Sequence, residues 1–435
     1  MGGGETTSAP HTASRPFGLW TATALVVGGM VGSGVFLLPA TLAPYGWTGV
    51  AAWVVSTVGV LILGYVLVRL AAALPQSAGA IAITGEVHGP VIGALIGWSY
   101  WVSVWCANAA IATAATSYLA VFYPALSATP LRGALAASAL IWLLTALNLR
   151  GPHTVGRFQV VTTLLKLVPL VAIVVILAVL AATGRGEIAP FPPTGISLAS
   201  LTAPVTLTLF ALVGFESASV CAARVRDPQI NVFRATMFGT ALTGLLYIIV
   251  CSGIVLTLPT EVVRTSAAPF ATFVETYWGR GPALAVALFA AIAAIGALNG
   301  WVLVQGEVPR GMAVAGLLPR WFGRTSARDV PTGVLILSGV LATALVMFNA
   351  SKSLAGIFEF MVLLTTAANL WLYVACCVAA IRLRMVMPAA VLGLAFSLWA
   401  MWGAGPVASG LSIGLMLTVL PLYWLRSRAG AKQPA

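Results

Sequence analysis

Gly32-Ser33-Gly34 interrupts one long apolar run of the chain, and Gly214-Phe215-Glu216 interrupts another far downstream. These residue types can hold a small charged molecule without metal or cofactor. A helix that stops at glycines exposes amide hydrogens at the start of its second half and carbonyls at the end of its first, and such unpaired groups attract opposite charges. A carboxylate suits the amides and an ammonium suits the carbonyls, so two such breaks together describe a receptor for an α-amino acid. The simpler alternative is that Gly32, Gly34 and Gly214 only let helices pack closely. Ser33 and Glu216, which add a hydroxyl and a carboxylate beside the glycines, argue against it.

Two further groups could carry protons. Glu216 is, with Glu359 near the start of a later run, the only carboxylate at membrane depth. A carboxylate there is costly unless it is protonated or paired. Glu216 is therefore a candidate proton site, the alternative being an acid that stays neutral and hydrogen-bonds its neighbours. Lys166, inside another apolar run, is a second candidate; its alternative is to snorkel to the interface. Gln305 and Glu307 read either as gating contacts or as a solvated helix end, and His88 and His153 as surface residues.

The elements that must position these groups are membrane spans. The 435 residues are 60% hydrophobic and only 7% charged, with a mean hydropathy of +1.02, far more apolar than a soluble domain. Runs of about 20 apolar residues fall at 17–40, 47–74, 91–123, 131–149, 155–182, 198–223, 231–259, 282–308, 331–349, 354–381, 387–404 and 407–424. That is a twelve-span, all-α membrane protein. The broken motifs lie in the first and sixth runs, as corresponding interruptions in two halves of the chain.

The net charge of +12 builds no continuous basic face, so no nucleic acid is expected; it sits in loops, where Lys and Arg set orientation. With the amino terminus in the cytoplasm, only Arg132, Arg185, Arg264, Arg280 and Lys352 fall outside, Lys166 lies within a span, and the remaining basic residues fall inside. Both termini are thus expected to be cytoplasmic, in the cell (inner) membrane. Residues 1–16 read as a disordered segment. No short apolar segment with a small-residue cleavage site precedes the first run, which is expected to act as an uncleaved insertion signal.

Cys106, Cys221, Cys251, Cys376 and Cys377 make neither a metal-ligand spacing nor a disulfide framework. No Gly-x-x-x-x-Gly-Lys-Ser/Thr phosphate loop and no His-Glu-x-x-His motif occurs. No enzyme, ATP use, metal or cofactor is expected.

The stretches Val31 to Ala40 and Gly214 to Ser219 resemble the first and sixth helix motifs of the amino acid-polyamine-organocation (APC) superfamily. Within it the chain is most similar to the bacterial basic amino acid/polyamine antiporters, the arginine/agmatine antiporters among them. Tyr100-Trp101, Trp105 and Asn108 in span three, Ser266 to Phe270 in a loop, and Asn299-Gly300-Trp301 in span eight extend the similarity over nearly the whole chain.

The resemblance implies an intertwined five-plus-five inverted repeat with discontinuous helices 1 and 6. Repeats would cover 17–182 and 198–381, two accessory spans 387–425, a cytoplasmic tail 426–435, and the assembly is often a homodimer. It implies that Ser33 and Gly34 receive the substrate carboxylate and that Asn108, Phe210, Trp301 and Phe360 contact the substrate, with Phe358 the alternative to Phe360. Tyr100 would gate, and Glu216 and Lys166 would couple transport to protons or gating. Phe210 stands where arginine/agmatine antiporters carry tryptophan, and Lys166 where they carry a small apolar residue. The latter resembles proton-driven permeases of the superfamily.

The function implied is secondary transport of amino acids by alternating access, leaning to exchange of cationic amino acids and amines. The alternative is a proton-coupled permease of broader or neutral specificity. A sensor on a transporter scaffold is more remote, since it would normally carry a signalling domain.

Overall fold

The computed structural model describes residues 18–32, 34–74, 79–151, 165–193, 195–216 and 225–430, and among these every helix or strand element is helical. Among the described residues seven helical stretches are long and apolar enough to cross a bilayer and five more are shorter but apolar. Together they account for the twelve expected spans. The expectations for residues 1–16, for Ser33, for His153 and for the last residues of the tail lie outside the described residues.

Span one is α1 (Leu19–Met30) followed by α2 (Gly34–Leu42), and span two is α3 (Gly46–Ala73). The 12 residues of α1 rise only about 18 Å against a hydrocarbon core of about 30 Å, so α1 stops part-way. The short α4 (Ala80–His88) leads into α5 (Pro90–Leu119), span three. Then come α6 (Pro130–Asn148), α7 (Leu167–Thr183), α8 (Leu198–Leu212) and α9 (Pro228–Thr257), belonging to spans four to seven. The short α10 (Thr260–Thr265) and α11 (Pro269–Trp278) precede α12 (Arg280–Val314), span eight. Spans nine to twelve are α13 (Thr332–Phe348), α14 (Leu354–Arg382), α15 (Met387–Gly403), and α16 (Gly405–Leu417) continued by α17 (Val419–Gly430).

Span one packs on span seven and span six on span two, while span three lies against spans eight and ten and span four against span nine. This reciprocal exchange is what two interlocked five-span repeats require. Lipid gives little drive for apolar faces to meet, so helices associate through close contact and hydrogen bonds. Hydroxyls supply the bonds: Ser56 Oγ donates to the Val205 carbonyl (3.0 Å) and lies 2.7 Å from Thr208 Oγ1, and Thr206 Oγ1 donates to the Ala400 carbonyl (2.7 Å). These join the first half of span six to spans two and eleven.

His88, expected on the surface, instead ends α4 half-buried against span ten. Its Nε2 lies 2.9 Å from the Ala375 carbonyl and its Nδ1 3.1 Å from Arg382 Nη1. The loop between spans two and three folds into a helix and carries the imidazole there, which apolar-run counting does not detect.

Candidate substrate site

The end of α1 shows how the first break is stabilised. Four carbonyls at a helix end lack intrahelical partners, and here the Val31 amide donates to the Val27 carbonyl (2.8 Å), Lys166 Nζ to that of Gly28 (3.3 Å) and Tyr247 Oη to that of Met30 (2.9 Å). Within α2, Pro39 has no N–H to offer the Val35 carbonyl; the Cys251 thiol, 3.9 Å away, takes that place. Tyr247 and Cys251 are one turn apart on span seven and so hold both half-helices across the break. Tyr247→Phe should leave the buried Met30 carbonyl unpaired, costing about 1–3 kcal/mol. We expect folded protein with lower thermal stability and a substrate affinity reduced about tenfold, read by a melting curve with and without substrate.

The second break begins where α8 stops at Leu212. Val213 is extended, and Gly214 has φ +108°, a region that favours glycine. A Cβ on Gly214 would lie 2.7 Å from the Gly29 carbonyl oxygen, so the two breaks touch backbone to backbone. The Gly214 amide donates to Glu216 Oε2 (3.2 Å), and Tyr100 Oη makes a long contact of 3.5 Å to Oε1. Glu216 is buried, and the Phe215 ring beside it packs on Tyr373 with centroids 5.3 Å apart.

Between the breaks lies a small cavity of about 40 Å³. Span one contributes Gly29, Met30, Gly32 and Gly34; span three Tyr100, Ser103, Val104, Ala107 and Ile111; span six Phe210, Ala211 and Val213; spans eight and ten Trp301 and Thr365. No acidic or basic residue is among these. The wall offers backbone polar groups at the break, hydroxyls and aromatic faces. The Phe210 ring rests on the first turn of α2, so closely that a Cβ on Gly34 would fall 2.8 Å from it. Behind it Phe358 meets Phe210 edge to face at 6.2 Å.

The structure thus brings Gly32, Gly34, Tyr100, Phe210 and Trp301 together around one cavity. Gly214 and Glu216 adjoin it through Val213 and Tyr100. Lys166 is buried at the start of α7, its ammonium on the end of α1 rather than reaching toward an interface. Asn108 is buried off the wall, donating through Nδ2 to Gln305 Oε1 (2.6 Å). Phe360 is also off the wall, with Lys352 Nζ 4.6 Å above its ring. Glu307 pairs with Arg310 (3.2 Å), which also meets Asp329 (2.8 Å).

Sequence reading missed Gly29, Met30, Ala211 and Val213, which flank the two motifs, and Ser103, Val104, Ala107, Ile111 and Thr365. The span-three set was accessible, because residues 100, 103, 104, 107 and 111 share one helical face. Thr365 carried no signal, since hydroxyls in apolar helices commonly bond back to their own turn, as Thr366 does to the Val362 carbonyl. Among the described residues the buried Thr365 Oγ1 has no partner.

The chain is similar over most of its length to known membrane carriers. The chain is 32% identical over 426 residues to the cadaverine/lysine antiporter of Escherichia coli K12, covering 95% of each. It is 29% identical to the arginine/ornithine antiporter of Pseudomonas aeruginosa, covering 75% of this chain and 70% of that one. It is 26% identical to a putrescine transporter of Haemophilus influenzae, covering 91% and 93%. The amino acid permease family matches residues 17–429. With that match spanning nearly the whole chain around a cavity framed by two broken helices, the protein belongs to the amino acid permease family and is a membrane transporter, not an enzyme.

Proposed function

We propose that this transporter exchanges cationic amino acids for the amines formed by their decarboxylation. The observation that carries this is the cavity itself: helix-break backbone, hydroxyls and aromatic faces, with no fixed charge among the described residues of the wall. The amides at Ser33 and Gly34 receive the carboxylate, which an amine lacks. The Trp301 face attracts the side-chain cation, worth about 0.5–2 kcal/mol, and Asn108 accepts a hydrogen bond from it. Phe210 closes over the substrate, and the edge-to-face contact of Phe358 on Phe210 favours Phe358 over Phe360 as its support. Relatives named as lysine, ornithine, cadaverine and putrescine carriers favour the same substrates.

Tyr100 and Glu216 form a gate that links span three to the second break, with Glu216 the proton site. The two repeats at 17–182 and 198–381 rock about the cavity, with both termini in the cytoplasm and two copies paired in the cell membrane. A proton-coupled permease for broader or neutral substrates is the second reading, favoured by the Lys166 ammonium on the Gly28 carbonyl.

Purified protein in liposomes separates the two. Vesicles preloaded with lysine, arginine, cadaverine or alanine are given labelled lysine, and expected uptake requires an internal cationic amino acid or amine. Uptake into empty vesicles driven by a proton gradient, with alanine competing as well as lysine, would establish the second reading instead.

A further inference from the structure

We propose that Gln305 is a positioning residue that fixes which end of the Asn108 amide faces the substrate, and thereby selects cationic over neutral side chains. This rests on the cavity being an amino acid and amine site. Asn108 and Gln305 are both fully buried, joined by the bond from Asn108 Nδ2 to Gln305 Oε1 at 2.6 Å. The other atom of each amide, Asn108 Oδ1 and Gln305 Nε2, has no partner among the described residues.

The pair stands directly behind the cavity wall. Asn108 follows Ala107 and precedes Ile111 by one turn, Gln305 follows Trp301 by one turn, and all three of those neighbours line the cavity. A buried polar atom without a partner is costly, so an unpaired carbonyl one residue behind the wall is an acceptor in want of a donor.

An amide has an accepting end and a donating end. With Gln305 accepting one N–H of its NH2 group, that end of the Asn108 amide is held on Gln305 and the unpartnered carbonyl is the end free to meet a ligand. That suits an ammonium or guanidinium and offers nothing to an aliphatic tip. Turned the other way, with Gln305 donating to the carbonyl, Asn108 would present NH2 and disfavour cations. Gln305 sits on an anchored backbone: its own carbonyl accepts from Trp101 Nε1 (3.0 Å), which also reaches Ser338 Oγ (3.1 Å). Sites that hydrogen-bond a substrate group discriminate strongly against analogues lacking it, because the protein group is then left unpaired.

The test compares wild type, Gln305→Met, Asn108→Leu and the double variant in proteoliposomes, with labelled lysine and labelled leucine. Gln305→Met should raise the lysine KM about tenfold while kcat and leucine transport stay within about twofold. In the Asn108→Leu background the same change should have no further effect, since residues that act as a unit are not additive. Equal losses for lysine and leucine, or the same KM change in both backgrounds, would overturn the assignment. Should Gln305→Met fail to fold, Gln305→Glu keeps the accepting end; it should retain the wild-type lysine KM, and a tenfold rise would also overturn it. If wild type takes up no cationic substrate, the functional reading fails, visibly and without any variant.

Discussion

Gly214→Ala is expected to abolish transport while leaving a protein that inserts and purifies. The residue has φ +108° and its added Cβ would fall 2.7 Å from the Gly29 oxygen and 2.8 Å from its carbonyl carbon. Both obstacles are backbone, so no side chain can turn aside, and either the end of α1 or the turn after α8 must move. Gly29 lines the cavity, so the displacement lands on the site. Misplacement of about 1 Å costs on the order of 100-fold where a reaction geometry must be held, and a comparable loss of lysine exchange is expected. Gly281→Ala is the control, because a Cβ there meets nothing within 4 Å. Exchange by Gly214→Ala within about twofold of wild type would show that the contact between the breaks is dispensable.

The second large effect concerns protons. Glu216→Gln keeps the shape of the side chain and an oxygen to accept from the Gly214 amide, which lies 3.2 Å from the carboxylate, but an amide cannot take up a proton at these pH values. If Glu216 is the proton site, exchange by the variant should lose its pH dependence, staying level within about twofold between pH ~5 and ~8. Tyr100→Phe removes only the 3.5 Å contact to Oε1 and should slow exchange while keeping the shape of the profile. Initial rates of labelled lysine uptake at matched internal and external pH measure both. A Glu216→Gln profile that superposes on wild type would move the proton to another group, with Lys166 next in line.

Much of this protein was legible in its sequence. Twelve spans follow from apolar length alone, because bilayer thickness imposes a length on every crossing helix. The two breaks follow from glycine and a carboxylate in places where hydrocarbon cannot satisfy them. The family resemblance rested on the same local motifs, which is why it extended to Tyr100, Phe210 and Trp301 as cavity residues.

What only the tertiary structure decided is which side chain meets which. Asn108 is a plausible ligand from its own helix, yet the facing helix supplies Gln305 as its first partner. Phe360 and Phe358 are two residues apart, so about 200° of helical turn separates them; Lys352 meets the former, and the latter backs Phe210. Tyr247, Lys166 and Cys251 complete a broken helix distant in the chain. A span's composition is set by its solvent and is local, whereas the partner of a buried polar atom depends on packing between helices hundreds of residues apart, and no single stretch of sequence contains it.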